Sequence, residues 1–372
     1  HVSLDMVRPT HPPVIKVGSL IIPKKEPIGR WNIPALIARN FFKNKSLSSW
    51  SFNLAVGCSH GCEFCYVPSV STNKLRPQLA EYGVSNPDAE WGNYALLRPW
   101  DEREFLKSLA KAERTPIEEL NPDGNRAVLF SSTTDPYQVF PHPDPAVRKQ
   151  LMEESAAMIR RALQLILEHS TLNVRILTRS PLARRDFDLY REFGDRLLFG
   201  MSLPTLDNRL AKVYEPGAPS PSQRLKTLQA AKEAGLHVYV AVAPTYPECS
   251  TPDFKKTLAA LKPLDPVTIF HEPINIRAEN VKRIARHAAE LNVDLNTGVF
   301  ATRRAWRWYA NTALWGMEVA ANELGLEDRL HLWPDSSLGS KEALRESCGD
   351  AEAELAWLQS WWNRISEWPG KK

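Results

Sequence analysis

Six short apolar runs alternate with longer stretches of helical spacing, and this alternation limits the folds open to the chain. The runs are residues 52–56, 127–132, 173–179, 197–202, 237–244 and 267–272, and the helical stretches are 103–113, 146–169, 220–235 and 278–292. Apolar strands that alternate with amphipathic helices are typical of a parallel sheet covered by helices. Six units fall short of a closed eight-stranded barrel, so we predict a partial (β/α)6, TIM-like barrel. A doubly wound sheet is the alternative.

Composition divides the chain into three parts. Residues 1–50 are rich in proline and polar side chains and predict an N-terminal extended arm on the surface, and residues 51–295 carry the predicted barrel. Residues 296–372 hold eight of the twelve tryptophans, within and around two helical stretches at 301–325 and 341–367. We predict a Trp-rich helical C-terminal extension whose indoles form core. A substrate or partner surface built from Trp and Arg is the alternative.

The charge balance restricts the partners only weakly. Lys and Arg number 47 against 43 Asp and Glu, a net charge of +4, which is far from the dense basic patches of a nucleic-acid binder. No apolar run approaches the roughly 20 residues that span a bilayer, and the first residues lack the apolar core of a signal peptide. Cys249 and Cys348 lie far apart, so a disulfide framework is not indicated. We expect a cytoplasmic protein without a membrane partner.

The stretch GCSHGCEFCY, residues 57–66, places Cys58, Cys62 and Cys65 within eight residues, directly after the first predicted strand. Loops that follow the strands form the active face of a parallel α/β barrel. Such close spacing lets one loop hold an iron–sulfur cluster, and three thiolates leave one iron of a [4Fe–4S] cube without a protein ligand. A zinc site completed by His60 is the alternative, although zinc sites usually pair two short knuckles and the chain has no second CxxC or HxxxH.

The segment CSHGCEFCY resembles the CxxxCxΦC signature of radical S-adenosylmethionine (SAM) enzymes, with Phe64 at the aromatic position. Segments 131–138, 176–182, 201–225 and 243–248 resemble the spore photoproduct lyase-like, DNA repair photolyase-related branch, and the likeness runs from about residue 50 to 290. The family's fold is the partial (β/α)6 barrel. The resemblance implies a [4Fe–4S] cluster, SAM and an electron donor such as flavodoxin or ferredoxin.

The resemblance also implies a mechanism. SAM binds the free iron through its amine and carboxylate, and one electron from the cluster cleaves its sulfonium. The resulting 5′-deoxyadenosyl radical removes a hydrogen atom from the substrate, while the protein orients the groups and excludes water.

Carried onto this sequence, the resemblance makes Cys58, Cys62 and Cys65 the iron ligands. The cofactor-binding residues that it implies are Phe64, Tyr66, Ser131, Ser132, Thr133, Arg179 and Ser202. Arg179 would clamp the methionyl carboxylate. Serine and threonine at strand ends also cap helices, which is the alternative for residues 131–133.

Further polar residues follow the predicted strands, where the mouth of a barrel would lie. The candidates for contacts to substrate are Asp135, Gln138, Glu215, Glu272, Asn275 and Arg277, and those for catalysis are Tyr137 and Cys249. The lyase that splits the thymine photoproduct returns a hydrogen atom from a cysteine near the end of its second strand, where this chain reads LFSSTTD. Cys249 is therefore a hypothetical substitute donor, and an inert thiol is its alternative.

The missing cysteine and the modest charge favour a peptide or another biosynthetic substrate over nucleic acid. Bond cleavage or rearrangement, for example in the modification of a ribosomal peptide, is the leading hypothesis. The Trp-rich region or a small partner protein would hold the peptide. The alternatives are an enzyme of nucleic-acid repair or base modification and a non-catalytic protein that uses its cluster for sensing.

Overall fold

The computed structural model describes residues 14–17, 20–347 and 349–370. Its strands are β1 Val14–Val17, β2 Leu20–Pro23, β3 Ile28–Arg30, β4 Ile37–Arg39, β5 Trp50–Phe52, β6 Ala55–Gly57, β7 Ala95–Leu97, β8 Ala127–Phe130, β9 Asn173–Thr178, β10 Leu197–Ser202, β11 His237–Thr245, β12 Ile269–Pro273 and β13 Leu330–Leu332. Its α-helices are α1 Val67–Val70, α2 Arg76–Ala80, α3 Glu102–Glu113, α4 Pro145–His169, α5 Phe187–Glu192, α6 Asn208–Tyr214, α7 Pro221–Glu233, α8 Thr251–Leu261, α9 Asn280–Glu290, α10 Arg303–Glu323, α11 Lys341–Arg345 and α12 Ala351–Trp362. None of these helices is long and apolar enough to cross a membrane.

The main sheet has the strand order β13-β12-β11-β10-β9-β8-β5-β4. All neighbours pair in parallel except β4, which pairs antiparallel with β5. From β5 to β13 the order in the sheet follows the order in the chain, without the reversal that marks a doubly wound sheet. A mixed α/β fold around a largely parallel sheet is thus confirmed. Its curvature into a partial barrel remains a prediction.

Alternate residues of the strands pack against opposite layers of the molecule. Val128, Ile176 and Val240 belong to the large core on one face of the sheet, together with the buried residues of α4 and α8. Tyr239 and Phe270 belong to a smaller cluster on the other face. Side chains alternate between the faces of a strand, so this second face is free of the connecting helices and forms the interior in which the site lies.

The first predicted strand is divided between two sheets. β5 pairs with β8 in the main sheet, whereas β6 joins β7 and β3 in a three-stranded sheet. Residues 53 and 54 carry the chain from one sheet to the other. This turn brings the segment after β6, which contains the three cysteines, over the end of the main sheet.

The predicted surface arm is wrong for residues 28–50. β3 and β4 both belong to sheets, and Leu47 is 5% exposed because it packs with Tyr239 and Phe270. Residues 40–48, which we term the strap, reach from β4 at one edge of the main sheet to Trp333, just after β13 at the other edge. The Trp333 indole donates a hydrogen bond to the Lys45 carbonyl at 2.7 Å. The part of the predicted arm at residues 1–13 and 18–19 lies outside the described residues.

A buried guanidinium joins the strap to the C-terminal segment of the described chain. Arg175 donates through Nε to the Leu47 carbonyl at 2.7 Å and through Nη2 to Ser366 Oγ at 3.0 Å. Its guanidinium also lies 4.7 Å from the ring centroid of Tyr239 and 5.0 Å from that of Trp368. Cation–π contacts of this kind stabilise a desolvated guanidinium.

The C-terminal part differs from the prediction in two ways. The sequence did not reveal β13, which extends the main sheet, and the stretch 341–367 forms two helices, α11 and α12, with Cys348 between them outside the described residues. Six of the eight tryptophans in residues 296–372 are buried or partly buried in the core, as predicted. Trp308 and Trp315 on α10 are the exceptions, at 69% and 49% exposed.

Candidate functional site

A cavity of about 350 Å³ lies at the carboxyl ends of the parallel strands. The cysteine loop, residues 58–66, forms one wall, and the last residues of β8 to β12 with the segments that follow β8, β9 and β12 form much of the rest. Because the carboxyl ends of parallel strands meet at the same edge, residues that are far apart in the chain converge there. A cavity of this size suits a small-molecule cofactor.

Two glycines allow the cysteine loop to pack closely on the segment that precedes β7. Gly61 and Gly92 have φ angles of +57° and +97°, in the region that favours glycine. A Cβ atom on Gly92 would lie 2.7 Å from the Cα atom of Gly61. The two backbones are therefore in direct contact between Cys58 and Cys62.

Side chains of α9 hold the carbonyl groups of the cysteine loop. Asn280 donates to the Phe64 carbonyl at 3.0 Å, and Arg283 donates to the carbonyls of Glu63, at 3.1 Å, and Cys65. Arg283 is also ion-paired with Asp88 in the segment before β7. The loop conformation is thus fixed from outside, as a preorganised ligand loop requires. No pattern in the sequence indicated this role for Asn280 or Arg283.

Cys58, Cys62 and Cys65 are free thiols that line the cavity. Burial raises the pKa of all three, that of Cys58 to about 12 with a further contribution from the charge of Asp135. They are therefore protonated at neutral pH, and a bound metal must displace their protons. Three sulfur donors on one short loop fit a [4Fe–4S] cluster and leave one of its irons open.

The zinc alternative lacks a ligand set among the described residues. No three His, Cys, Asp or Glu side chains among the described residues are arranged to hold a single metal ion. His60 instead points Nδ1 towards an Asp135 carboxylate oxygen, 3.4 Å away. A cube differs from a single ion because its thiolates bind different iron atoms and stand farther apart.

All seven predicted cofactor-binding residues line the cavity: Phe64, Tyr66, Ser131, Ser132, Thr133, Arg179 and Ser202. Several of their polar groups already have partners. Ser131 Oγ donates to the Phe52 carbonyl at 2.7 Å, and the Tyr66 hydroxyl donates to the Ser132 carbonyl at 2.7 Å. Asn53 Oδ1 accepts the backbone N–H groups of Ser132 and Thr133, both at 2.9 Å. Asn53, which the sequence analysis missed, therefore shapes this wall.

Glu215 lies behind the cavity wall instead of in the cavity. It is 1% exposed, pairs with Arg179, and accepts from Arg224 Nη2 at 3.1 Å and the Tyr246 hydroxyl at 2.7 Å. Burial opposes its ionisation, but Arg224 and Arg179 outweigh burial and lower its pKa to about 2. A contact to substrate does not fit this position. Glu215 instead orients Arg179 and stands 4.0 Å from the Cys62 sulfur.

The two substrate candidates after β8, Asp135 and Gln138, lie apart in space. Asp135 lines the cavity and accepts from Thr178 Oγ1 at 2.7 Å and from the Arg179 backbone N–H at 2.8 Å. Gln138 lies outside the cavity lining, and its Oε1 accepts the Ser59 N–H at 2.8 Å. It braces the cysteine loop, so the predicted contact to substrate does not fit.

The two predicted catalytic residues also lie away from the cavity. The buried hydroxyl of Tyr137 donates to Asp186 at 2.7 Å and contacts the Tyr190 hydroxyl. Cys249 is half-buried beyond Tyr246, whose carbonyl accepts the Cys249 N–H at 3.0 Å, and burial raises its pKa to about 12. A hydrogen-atom donor must carry an S–H bond, so protonation is compatible with the predicted role, but the position of Cys249 outside the cavity lining does not fit it.

The three candidates after β12 do line the cavity: Glu272, Asn275 and Arg277. Glu272 pairs with Lys45 of the strap, and Arg277 pairs with Asp335. The Lys45 ammonium lies 4.7 Å from the ring centroid of Trp333, and both residues line the cavity. Neither Lys45 nor Trp333 was predicted to lie at the site, because Lys45 falls in the predicted arm and Trp333 in the predicted C-terminal extension.

The chain matches the family model of the radical SAM superfamily over residues 52–261. An uncharacterized protein of Acidianus two-tailed virus is 32% identical over 275 residues, which cover 70% of this chain and 82% of the relative. An uncharacterized protein of Methanocaldococcus jannaschii is 23% identical over 80% of this chain and 93% of its own length.

Among solved structures, a mutant of spore photoproduct lyase superimposes with a TM-score of 0.52 at 13% identity, over 81% of this chain and 80% of that chain. At this identity the likeness concerns the fold alone. The family match includes the cysteine loop and most of the strands that surround the cavity. The chain therefore belongs to the radical SAM superfamily, whose members use a [4Fe–4S] cluster and SAM as cofactors.

Proposed function

We propose that this radical SAM enzyme acts on a peptide or another biosynthetic substrate rather than on a nucleic acid. When bound, the cluster and SAM supply one-electron cleavage of SAM and hydrogen abstraction from the substrate. Superfamily members need an electron donor, for which we propose a flavodoxin or ferredoxin.

The observation that carries the proposal is the pairing of the charges around the cavity. Each Lys or Arg in the described lining has a carboxylate partner in the protein: Lys45 with Glu272, Arg179 with Glu215, and Arg277 with Asp335. A nucleic-acid backbone binds through cations that neutralise its phosphates. Because carboxylates of the protein already neutralise these three cations, the lining favours a substrate without a polyanionic backbone.

The apolar part of the lining supports the same substrate class. Phe42, Val70 and Trp333 line the cavity, and Val70 and Tyr66 are 47% and 38% exposed. Exposed apolar side chains beside a cavity favour a substrate that carries apolar groups. We propose that Glu272 and Asn275 at this end orient the polar groups of the substrate.

We propose cofactor roles for the residues at the other end. Cys58, Cys62 and Cys65 would ligate the cluster. Arg179, held by Glu215 and by its own backbone bond to Asp135, would bind the carboxylate of SAM. The buried ring of Phe64, 5.8 Å from the Arg179 guanidinium, would lie against the adenine.

Nucleic-acid repair is the second candidate, because the fold resembles that of spore photoproduct lyase. The cysteines in the described lining are limited to the three of the loop. The cavity thus offers no further thiol for the hydrogen return that the lyase resemblance implies. This argues against photoproduct repair.

The test begins with anaerobic reconstitution, dithionite reduction, addition of SAM and quantification of 5′-deoxyadenosine. We expect Cys62→Ala to abolish its formation and Cys249→Ala, which alters a cysteine outside the lining, to retain it. Candidate peptides and nucleic acids are then compared for stimulated turnover. Stimulation by peptides supports the proposal. Stimulation by DNA or RNA, with salt-sensitive retention on a nucleic-acid column, contradicts it. Absence of SAM cleavage in iron- and sulfide-loaded protein would indicate a sensing cluster.

A further inference from the structure

We propose that the indole N–H of Trp91 donates a hydrogen bond to a sulfur atom of the bound cluster and thereby raises the cluster's reduction potential. The inference rests on the cofactor of the family and is independent of the substrate.

The first observation is a buried donor without an acceptor. Trp91 is 7% exposed and lines the cavity, and its Nε1 atom is fully buried with no hydrogen-bond partner. Buried N–H groups nearly always have an acceptor, since desolvation without one costs free energy. An unpartnered donor beside a cavity therefore points to an acceptor on the ligand.

The second observation is the chemistry of the surroundings. Trp91 packs in an apolar cluster with Cys58 and, at its edge, Cys65. The other side chains of this cluster are aliphatic or aromatic, and the Tyr94 hydroxyl is bonded to the Pro87 carbonyl at 2.9 Å. Among the members of this cluster that also line the cavity, the sulfur atoms of Cys58 and Cys65 are the side-chain acceptors. A thiol accepts weakly, whereas the sulfur atoms of an iron–sulfur cluster accept hydrogen bonds that tune its potential.

The third observation is that the donor is fixed relative to the cysteine loop. Gly92, next to Trp91, contacts Gly61 inside the loop. The Trp91 backbone N–H donates to the Asp88 carbonyl at 3.2 Å, and Asp88 is ion-paired with Arg283, which also binds the Cys65 carbonyl. The indole and the cysteines are therefore held by one network, as an oriented donor requires.

The other unpartnered groups in the lining do not compete for this role. His60 Nδ1 faces the Asp135 carboxylate at 3.4 Å, and Asn275 Oδ1 is an acceptor. The second lining tryptophan, Trp333, already donates its N–H to Lys45. A hydrogen bond from Trp91 would stabilise the more negative, reduced cluster more than the oxidised one, so it would raise the potential.

The test compares Trp91→Phe with Trp100→Phe. Phenylalanine keeps an aromatic ring but removes the N–H, and Trp100 also has a buried Nε1 but does not line the cavity. The midpoint potential of the reconstituted cluster is measured by EPR-monitored redox titration without SAM or substrate. For Trp91→Phe we expect the ratio of reduced to oxidised cluster at fixed potential to fall about tenfold, which is about 59 mV for one electron. Trp100→Phe should leave the midpoint potential unchanged.

An unchanged potential in Trp91→Phe, or an equal shift in both variants, overturns the proposal. If Trp91→Phe fails to take up the cluster, wild-type protein with ¹⁵N-indole tryptophan decides by electron–nuclear double resonance. An exchangeable proton and a ¹⁵N nucleus coupled to the reduced cluster support the hydrogen bond, and their absence excludes it. Neither readout involves turnover, so failure here is distinct from failure of the peptide proposal.

Discussion

The ammonium nitrogen of Lys45 lies 2.8 and 2.9 Å from the two carboxylate oxygens of Glu272, a residue 227 positions later in the chain. This ion pair links the strap to β12 beside the cavity. Together with the bond from Trp333 to the Lys45 carbonyl, it fixes the strap at the β13 edge of the sheet.

We expect Lys45→Met to loosen the strap without unfolding the protein. Both partners are partly exposed, so the pair contributes at most about 1 kcal/mol to the free energy of unfolding. Hydrogen exchange followed by mass spectrometry should show faster exchange in residues 40–48. Lys43→Met, which alters an exposed lysine of the same segment, is the control. Equal exchange in both variants would contradict the role of the ion pair.

Glu215→Gln should destabilise the protein strongly. The substitution leaves Arg224, which is fully buried, and Arg179 without their carboxylate. Loss of one partner from a buried ion pair typically costs about 3–5 kcal/mol. Urea unfolding of the cluster-free protein measures the loss, and Glu290→Gln, at an exposed ion pair with Arg286, should change stability by less than about 1 kcal/mol. Similar values for the two variants would refute the buried network.

Gly217→Ala should impair cluster uptake. A Cβ atom at this position would lie 2.4 Å from the Ser59 carbonyl oxygen and 2.8 Å from that of His60, so the cysteine loop would have to move. We expect less iron and sulfide per chain after reconstitution than in wild type. Gly298→Ala is the matched control because nothing lies within 4 Å of its added Cβ atom. If Gly217→Ala bound as much iron and sulfide as wild type, the cysteine loop would have moved without loss of cluster uptake, which would contradict this prediction.

Much of this architecture could be predicted because it depends on local patterns. The strands β8 to β12 and the helices α3, α4, α7, α9 and α10 follow from apolar periodicity, and the cysteine loop follows from its spacing. Lys45 and Trp333 could not be placed in the cavity, because only the pairing of β4 with β5 at one edge of the sheet and of β13 with β12 at the other brings them there.

Glu215, Gln138 and Tyr137 show a second limit of the sequence. Tyr137 and Gln138 lie in the segment after β8, and Glu215 ends α6 in the segment after β10, but their side chains brace the wall from behind. Position along the chain identifies the end of a strand. It does not determine whether a side chain points into the cavity or into the layer that supports it.

Tyr137→Phe should preserve SAM cleavage. Its hydroxyl bonds to Asp186 in the buried layer, so its loss should cost about 1–2 kcal/mol of stability. Thermal unfolding and 5′-deoxyadenosine formation measure the two effects. Tyr66→Phe is the comparison, because its hydroxyl bonds to Ser132 in the cavity wall and its loss should alter the KM for SAM. A large fall in turnover for Tyr137→Phe alone would restore the predicted catalytic role.

His271 should make stability depend on pH. Burial lowers its pKa to about 3, so it is neutral in the folded protein, whereas in the unfolded chain it takes up a proton below about pH 6.5. Its stabilising contribution is therefore complete above about pH 6.5 and falls as the pH decreases towards 3.

Between pH 7.5 and 5.5, this one residue should account for about 1.4 kcal/mol of lost unfolding free energy. Urea titrations at the two pH values should show that the loss is smaller by that amount in His271→Gln. His169→Gln, at an exposed position, should behave like wild type. Equal pH dependence in all three proteins would contradict a neutral, buried His271.

The contacts of the Arg175 guanidinium constrain the order in which the protein folds during translation. Its partners include Leu47 near one end of the described chain and Ser366 and Trp368 near the other. A nascent chain on the ribosome can pair β5, β8 and β9 in succession, but Arg175 has no aromatic partner at Trp368 until that residue has left the exit tunnel. The contacts of Arg175 with Ser366 and Trp368 are therefore completed only after translation has passed residue 368.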